Sequence, residues 1–404
     1  MLILTQVRAV IGQPQASVYH ILLNHCSEVE TIITEQWESF NTTRTVHGDY
    51  NVDSPYLAAL AYGVMESETG VTAEWAIKAL GGLTGFSGGL KSVLWGDAMS
   101  RQGRVRYAHL LDLGWIIEVS GRVEFTDILL RHHWAAKQYA TFWRNGKNDR
   151  TFTPPGTHFG KLDPVLMGYI GQLADSKPEK CVKVFREFIT KDPHFALTCL
   201  MNGFDHDETE VIEGLLSNIT WEKDNLYLAA AWNQIKAIGS RCAVGFENAL
   251  VQNNQHPCAL LFAAQILGVV GTSDQVPRLR PVLKNPELGC HTVRVFTEKI
   301  QQLEAEKMSD EEYKALKAAK IAGTGIKLAA LIFQASVGRG ANVAMNSLQA
   351  KINRQKQIRR ELAELETKKQ EELTRRNAIL PQIHTALQKS FAQMAGRAPV
   401  LQTK

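Results

Sequence analysis

Asn225-Leu-Tyr-Leu-Ala-Ala-Ala-Trp232-Asn-Gln-Ile-Lys-Ala-Ile-Gly239 and Pro257-Cys-Ala-Leu-Leu-Phe-Ala-Ala-Gln-Ile-Leu-Gly-Val-Val-Gly271 share one plan, and their closing glycines stand 32 residues apart. Each is an apolar run ended by glycine, then a second amphipathic stretch, Val244 to Val251 after the first and Asp274 to Leu283 after the second. A hairpin of this size cannot bury its own apolar face. Neighbouring hairpins must stack to make a core, which is the logic of an α-solenoid. The pattern therefore predicts an all-α chain of helical hairpins. No stretch sustains a period-two alternation, so a large sheet is not expected.

The same punctuation extends outward. Asp163-Pro164, Lys177-Pro178, Asp192-Pro193, His256-Pro257 and Asn285-Pro286 sit where new helices are expected to begin. Proline in a first turn forfeits no hydrogen bond, because that N–H is unpaired in any helix. The repetitive region is read as residues 163–304. Before it, 145–162 is rich in Gly, Pro, Asn and Thr and reads as a loop closing an N-terminal helical region, 1–144. Within that region helices are expected from Val18 to about Phe40, from Ser54-Pro55, from Thr72 to the pair Gly81-Gly82, and from Arg122 to Trp143.

Residues 305–404 differ in kind and read as a basic helical extension. Ser309-Asp-Glu-Glu312 has the form of a capping box. Ile321 to Phe333 is an apolar run of 13 residues broken by Lys327, shorter than the roughly 20 that a bilayer requires. From Ser347 to Ala378 the chain is a polar helix in which Leu348, Ile352, Leu362, Leu365 and Leu373 follow a heptad only in part. Gln355 and Lys369 fall on the seam, and Pro381 is expected to interrupt before a short amphipathic helix, Ile383 to Met394.

Leu267-Gly-Val-Val-Gly-Thr-Ser-Asp-Gln-Val-Pro-Arg-Leu279 resembles the turn between the two helices of a HEAT-like repeat. Residues 15–300 as a whole resemble bacterial HEAT-like proteins encoded beside type VI secretion genes. The likeness rests on His25-Cys-Ser-Glu-Val-Glu, Tyr227-Leu-Ala-Ala-Ala-Trp232 and Val270-Gly-Thr-Ser-Asp-Gln-Val-Pro277. It implies a HEAT-like α-solenoid and a secretion-associated setting, and it implies no mechanism.

Composition places the chain among ordinary globular proteins: 404 residues, 45% hydrophobic and 21% charged, with a formal net charge of +4. The charge is unevenly spread. Residues 305–404 hold 18 Lys and Arg against 9 Asp and Glu, leaving 27 against 32 in the first 304, so a net of +9 follows a net of −5. Six scattered cysteines without a C-x-x-C pair read as reduced, mostly buried side chains. The opening Met1-Leu-Ile-Leu-Thr-Gln-Val-Arg has no basic n-region and no clean cleavage site, so cytoplasm is the expected compartment.

Several motifs offer chemistry. Gly85-Phe-Ser87-Gly-Gly89 matches the G-x-S-x-G elbow, which needs a buried strand before it, whereas Trp75 to Leu80 reads as helix. Ser87 is therefore an interhelical loop residue, or, in the alternative reading, the nucleophile of a serine hydrolase. Gly85, Lys91 and Ser92 fit a phosphate loop, but Leu90 occupies the position of its second glycine. Asp205-His-Asp207-Glu-Thr209 matches the D-x-D-x-T of aspartyl phosphatases, yet it opens a helix from Glu210 and reads as a cap. His132 and His133 project about 100° apart on a helix and cannot share one metal; one is expected to be buried and one wet. The pairs His25-Cys26 and Cys290-His291 meet the same objection.

The reading that unites these features is a non-enzymatic scaffold or adaptor that binds another protein, without metal, cofactor or small-molecule substrate. Solenoids present long concave surfaces on which aromatics make strong anchors. The candidates are Trp75, Trp95, Trp115, Trp134 and Trp143, together with the basic residues Arg354, Arg359, Arg360, Lys368, Lys369, Arg375 and Arg376 of the extension, which serve partner docking or self-association. Binding of nucleic acid or membrane through those basic helices is a further alternative. It is not expected, because acids interleave with the bases.

Overall fold

The computed structural model describes residues 3–44, 50–67, 70–82, 90–144, 163–223, 225–332 and 339–397. These residues are helical apart from one small sheet, and they fall into two compact units. One comprises Met1–Leu215 with Asn233–Ile238, the other Leu216–Trp232 with Gly239–Lys404. The loop 145–162 lies outside the described residues. The expected break at 305 falls inside the second unit.

The first unit opens with α1 (Ile3–Val10), α2 (Val18–Asn24), α3 (Cys26–Arg44) and α4 (Tyr50–Glu66). Then come β1 (Val71–Thr72), α5 (Ala73–Leu80), α6 (Leu90–Asp112), β2 (Ile116–Val119), β3 (Arg122–Phe125) and α7 (Ile128–Arg144). Local chemistry sets several boundaries as expected. The Thr72 hydroxyl accepts from the Trp75 N–H at the start of α5, and Gly81 closes the helix. The helix expected from Ser54-Pro55 starts earlier, at Tyr50, with Pro55 inside it. The turn before that proline is held by buried Asp53, to which Arg106 of α6 donates at 2.6 Å while also donating to the Leu80 carbonyl and stacking on Tyr56.

The helix expected from Arg122 is corrected. Residues 116–125 are a β-hairpin, antiparallel with Ile116 opposite Phe125 and Val119 opposite Arg122, and β1 adds to its other edge in the order β1-β3-β2. Ser120 and Gly121 both have positive φ, 52° and 74°, the geometry of a two-residue hairpin turn matched to strand twist. Helix α7 then begins at Ile128, where Asp127 accepts from the Leu129 and Leu130 N–H groups.

Helices α8 (Asp163–Ser176), α9 (Pro178–Lys191) and α10 (Pro193–Met201) start at their prolines as expected. Gly171 lets α8 run against α2. A Cβ there would sit within van der Waals distance of the Leu22 carbonyl and 2.9 Å from both the Leu23 carbonyl and Cys26 Sγ. α11 (Glu208–Ser217) and α12 (Asn225–Ile238) are divided between the units by residue.

The second unit continues with α13 (Ala243–Gln252), α14 (Pro257–Val270), the single turn α15 (Val276–Leu279), α16 (His291–Glu306), α17 (Asp310–Ile332) and α18 (Arg339–Ala395). The helix expected over Asp274 to Leu283 is broken into α15 between two 3₁₀ segments, because Pro277 and Pro281 each remove a donor four residues apart. Asn285-Pro286 opens a turn closed by Gly289, φ 76°, and α16 starts only at His291. Gly239 and Gly271 are not equivalent either: Gly239 is left-handed, φ 78°, and Gly271 is extended, φ −73°.

α18 differs most from expectation. It runs unbroken through Pro381 and packs on α14 and α16. Its buried face is Ile352, Gln355, Ile358, Leu362, Glu372, Arg376, Ile379, Ile383, Ala386, Leu387, Ser390 and Met394. Spacings of three and four run from Ile352 to Leu362 and from Glu372 to Met394, with Leu365 and Lys369 only half-buried between them, and the polar members are paired rather than misplaced. Gln355 accepts from the Met308 N–H and donates to the Glu306 carbonyl. Arg376 donates to the Pro286 and Leu288 carbonyls, Ser390 donates to the Ala264 carbonyl, and Arg397 closes the carbonyl end of α14 at Gly268, Val269 and Gly271. Ser309 and Glu312 form the expected capping box of α17. Among the described residues no helix is long and apolar enough to cross a membrane.

Candidate functional site

A cleft lies in the first unit, between α1, α3 and the base of the hairpin. Asp127 assembles it. Besides capping α7, its carboxylate accepts the Leu4 N–H at 2.9 Å and so ties α1 to that end of the hairpin. Thr126 Oγ1 donates to the Gly114 carbonyl at 2.7 Å, closing the hairpin base. Trp115, just before β2, then turns its ring inward against Trp37 and Trp134, at centroid distances of 5.7 and 5.3 Å. The Trp115 indole N–H donates to Gln36 Oε1 at 3.2 Å, and the Gln36 amide donates to Gln6 Oε1. The resulting groove has a volume of about 860 Å³. Ile3, Val10, Ile32 and Phe40 give it apolar walls, Gln6, Gln36, Ser39 and Glu35 a polar side, and among the described residues no His, Cys, Lys or Arg lines it.

Elsewhere in this unit Glu30 of α3 receives His133 Nε2 at 2.6 Å and the Lys137 ammonium, both from α7. His133 is wholly buried, and burial holds its pKa below the usual imidazole range, so it is a neutral donor to an ionised carboxylate. Glu30, bonded to His133 and Lys137 against the opposing effect of its own burial, is lowered to about 2. Tyr50, buried beside Glu30, is pushed up and accepts from the Trp134 indole at 3.1 Å. His132 is also buried, contrary to the expectation of one wet histidine, and burial beside Arg131 lowers it to about 3. In both faces of the helix the imidazoles serve packing.

The structure distributes the sequence candidates widely. Trp115 lines the groove. Trp134 is fully buried and presents nothing to a partner, and Trp75 is half-buried with its ring over Gly63 of α4. The side chains of Trp95 and Trp143 lie outside the described residues, as do Ser87 and its flanking glycines. Asp207 accepts from the Thr209 N–H at the start of α11, the capping role expected for it, while His206 lies 3.1 Å from Glu210.

On α18 the basic residues divide. Arg354 pairs with Glu306 at 2.7 Å; Arg359 pairs with Asp310 at 2.6 Å and covers the Tyr313 ring. Arg376 is buried, and Arg375 lies 6.0 Å from the Trp221 ring. Arg360 and Lys368 are exposed and Lys369 half-exposed. Four of these seven candidates, Arg354, Arg359, Arg375 and Arg376, thus have internal partners, and the seven do not form a bare basic stripe.

Behind Trp221, Glu372 accepts the indole N–H at 2.7 Å and lies 3.4 Å from His256 Nε2. His256 Nδ1 accepts from the Cys258 N–H as the cap of α14, and burial lowers this imidazole to about 4. All six cysteines are free thiols. Among the described residues no three His, Cys, Asp or Glu side chains converge as a metal-binding set.

The groove residues Gln6, Glu35, Gln36, Phe40 and Asp127 were not among the sequence candidates. The usable signal was Ser120-Gly121 flanked by Ile116-Ile-Glu-Val and Arg-Val-Glu-Phe125, a turn dipeptide between short alternating runs that brings Trp115 beside Thr126. Comparison with protein-family models, curated proteins and solved structures gives no significant match.

Proposed function

We propose that the chain is a non-enzymatic scaffold that binds another protein, built on HEAT-like stacking of helical hairpins, in the secretion-associated setting its resemblance implies. The observation that carries this reading is the groove between α1, α3 and the hairpin base. Its lining pairs apolar walls with amides, hydroxyls and carboxylates, the mixture of apolar surface and a few polar groups with which a protein surface recognises a partner. The stacking of sequential neighbours, α8 on α9, α9 on α10 and α13 on α14, supports the solenoid element of the proposal. The lengthwise packing of α18 is an addition to any repeat plan.

Tagged full-length protein, crosslinked in its native cells and captured, is expected to retain a stoichiometric partner after washing at moderate salt. Stoichiometric labelling by a fluorophosphonate probe that is lost in Ser87→Ala would replace the scaffold with a hydrolase.

A further inference from the structure

From Tyr313 to Arg360 the chain holds ten Lys and Arg and no Asp or Glu. Three lysines precede Ile321, Lys327 and Arg339 stand alone between, and five cations follow from Lys351. The interleaving of acids with bases begins only at Glu361. Charge of one sign over two helices repels itself, a cost to the fold that a surface of opposite sign relieves. α17 packs on α18, and Tyr313 gathers cations of both. Lys317 Nζ lies 4.5 Å and Arg359 Cζ 4.6 Å from the centre of its ring. Lys314, Lys317 and Ile321, at steps of three and four, share one face of α17, and Lys356 and Arg360, one turn apart, share one of α18. All five are exposed, Ile321 by 73%. Among the described residues Lys314, Lys356 and Arg360 make no ion pair. The acids at the margin are mostly engaged: Asp310 with Arg359, Glu312 with the Ser309 cap and Glu361 with the Gln357 amide, leaving Glu311 in the first turn of α17.

The chemistry beside these cations selects the partner. Ile321 opens an apolar run that reaches Phe333 with Lys327 as its one charge, too short to span a bilayer. Cations next to an exposed aliphatic side chain suit the lipid interface, where headgroup phosphates and carboxylates meet the charges and the apolar group sinks below them. A nucleic acid would use the cations and leave the apolar residue in water. We propose that the face formed by Lys314, Lys317 and Ile321 of α17 with Lys356, Arg359 and Arg360 of α18 docks on the surface of an anionic phospholipid bilayer. This surface is additional to the groove of the first unit and does not rest on the scaffold reading. The interleaved acids that argue against a binding stripe lie beyond it, from Glu361 onward.

The probe is a phosphatidylcholine vesicle with about 30 mol% phosphatidylserine, floated with full-length protein beside vesicles of phosphatidylcholine alone. The anionic vesicle is expected to carry the protein and the neutral one to leave it behind. Binding should weaken as NaCl rises from about 0.1 to about 0.5 M. Combining Lys314→Gln, Lys356→Gln and Arg360→Gln should weaken it about a hundredfold, at about fivefold for each cation near the surface. Ile321→Ser should weaken it several-fold. Lys183→Gln, Lys236→Gln and Lys284→Gln combined, at three exposed lysines elsewhere, remove the same charge and should leave binding unchanged. Unaltered thermal melting of each variant separates these losses from misfolding. Equal binding to both vesicles, binding to neither, or anionic binding that the first triple variant retains overturns the inference. So does a DNA duplex that binds more tightly than the vesicles and equally well in Ile321→Ser, because the occupant would then be nucleic acid. Partner capture from cells is read separately, so the scaffold stands or falls independently of these results.

Discussion

Removing residues 305–404 is expected to unfold the remainder of the second unit while leaving the first intact. Ile352, Ile358, Leu362, Ile379, Ile383, Leu387 and Met394 of α18 are each buried, Ile358 and Leu362 in one cluster with Ile300 of α16. At about 1.5–3 kcal/mol per buried side chain they contribute on the order of 10–20 kcal/mol, before the cost of ordering the helix is set against it. A domain's whole stability is about 5–15 kcal/mol. The truncation also strips the partners from the Ala264, Pro286 and Leu288 carbonyls. Leu387→Ala is the milder form and should cost about 3 kcal/mol, as a buried leucine does when its cavity does not collapse. The assay is limited proteolysis read by mass spectrometry, with urea denaturation of full-length, truncated and Leu387→Ala proteins followed by tryptophan fluorescence. Protection of residues 216–304 at the full-length rate, with an unchanged urea midpoint in the truncated protein, would show that α18 is an appendage and refute the reasoning.

Other outcomes follow from single sites. Gly171→Ala should destabilise the first unit by about 1–3 kcal/mol in urea, because the new methyl meets backbone of α2 that cannot swing aside; a neutral result would mean the α2–α8 approach is looser than described. His256 has a folded pKa of about 4 against 6.5 unfolded, so its contribution is complete above pH 6.5 and is lost as pH falls towards 4. Up to about 3 kcal/mol is at stake, and His256→Asn, which keeps a capping side chain, should flatten that part of the stability–pH curve for the second unit; an unchanged slope counts against it. Glu30, lowered to about 2, contributes above pH 4.5 and loses its contribution as pH falls towards 2. Being about a third exposed it is worth only about 1 kcal/mol, and Glu30→Gln should remove that acid-limb loss in urea titrations at pH 6 and pH 3.

What was legible in the chain is chemistry that acts over a turn or two. Thr72, the Ser309–Glu312 box and the prolines at 178, 193 and 257 set helix starts wherever they occur, since capping and proline geometry depend on neighbours within a few residues. The helical class and the change of charge sign after residue 304 are likewise properties of the string. The Ser120-Gly121 hairpin was present in the same local code, but its strands are only four residues long and were absorbed into the helix that follows.

Tertiary structure decided the rest. Gln355 reads as a flaw on the heptad seam and Arg376 as a docking cation, and Glu372 and Ser390 carry no signal, because a polar side chain is a defect or a contact depending on what faces it. Here it faces the Met308 N–H, the Trp221 indole, the Pro286 and Leu288 carbonyls and the Ala264 carbonyl. Those partners lie far off in sequence, and pairing removes the desolvation penalty that would otherwise break the packing. The groove is the same case. Gln6, Glu35, Gln36, Trp115 and Asp127 come from three separated stretches, and each is unremarkable alone. Only the fold brings them together to line one groove, which none of those stretches encodes by itself.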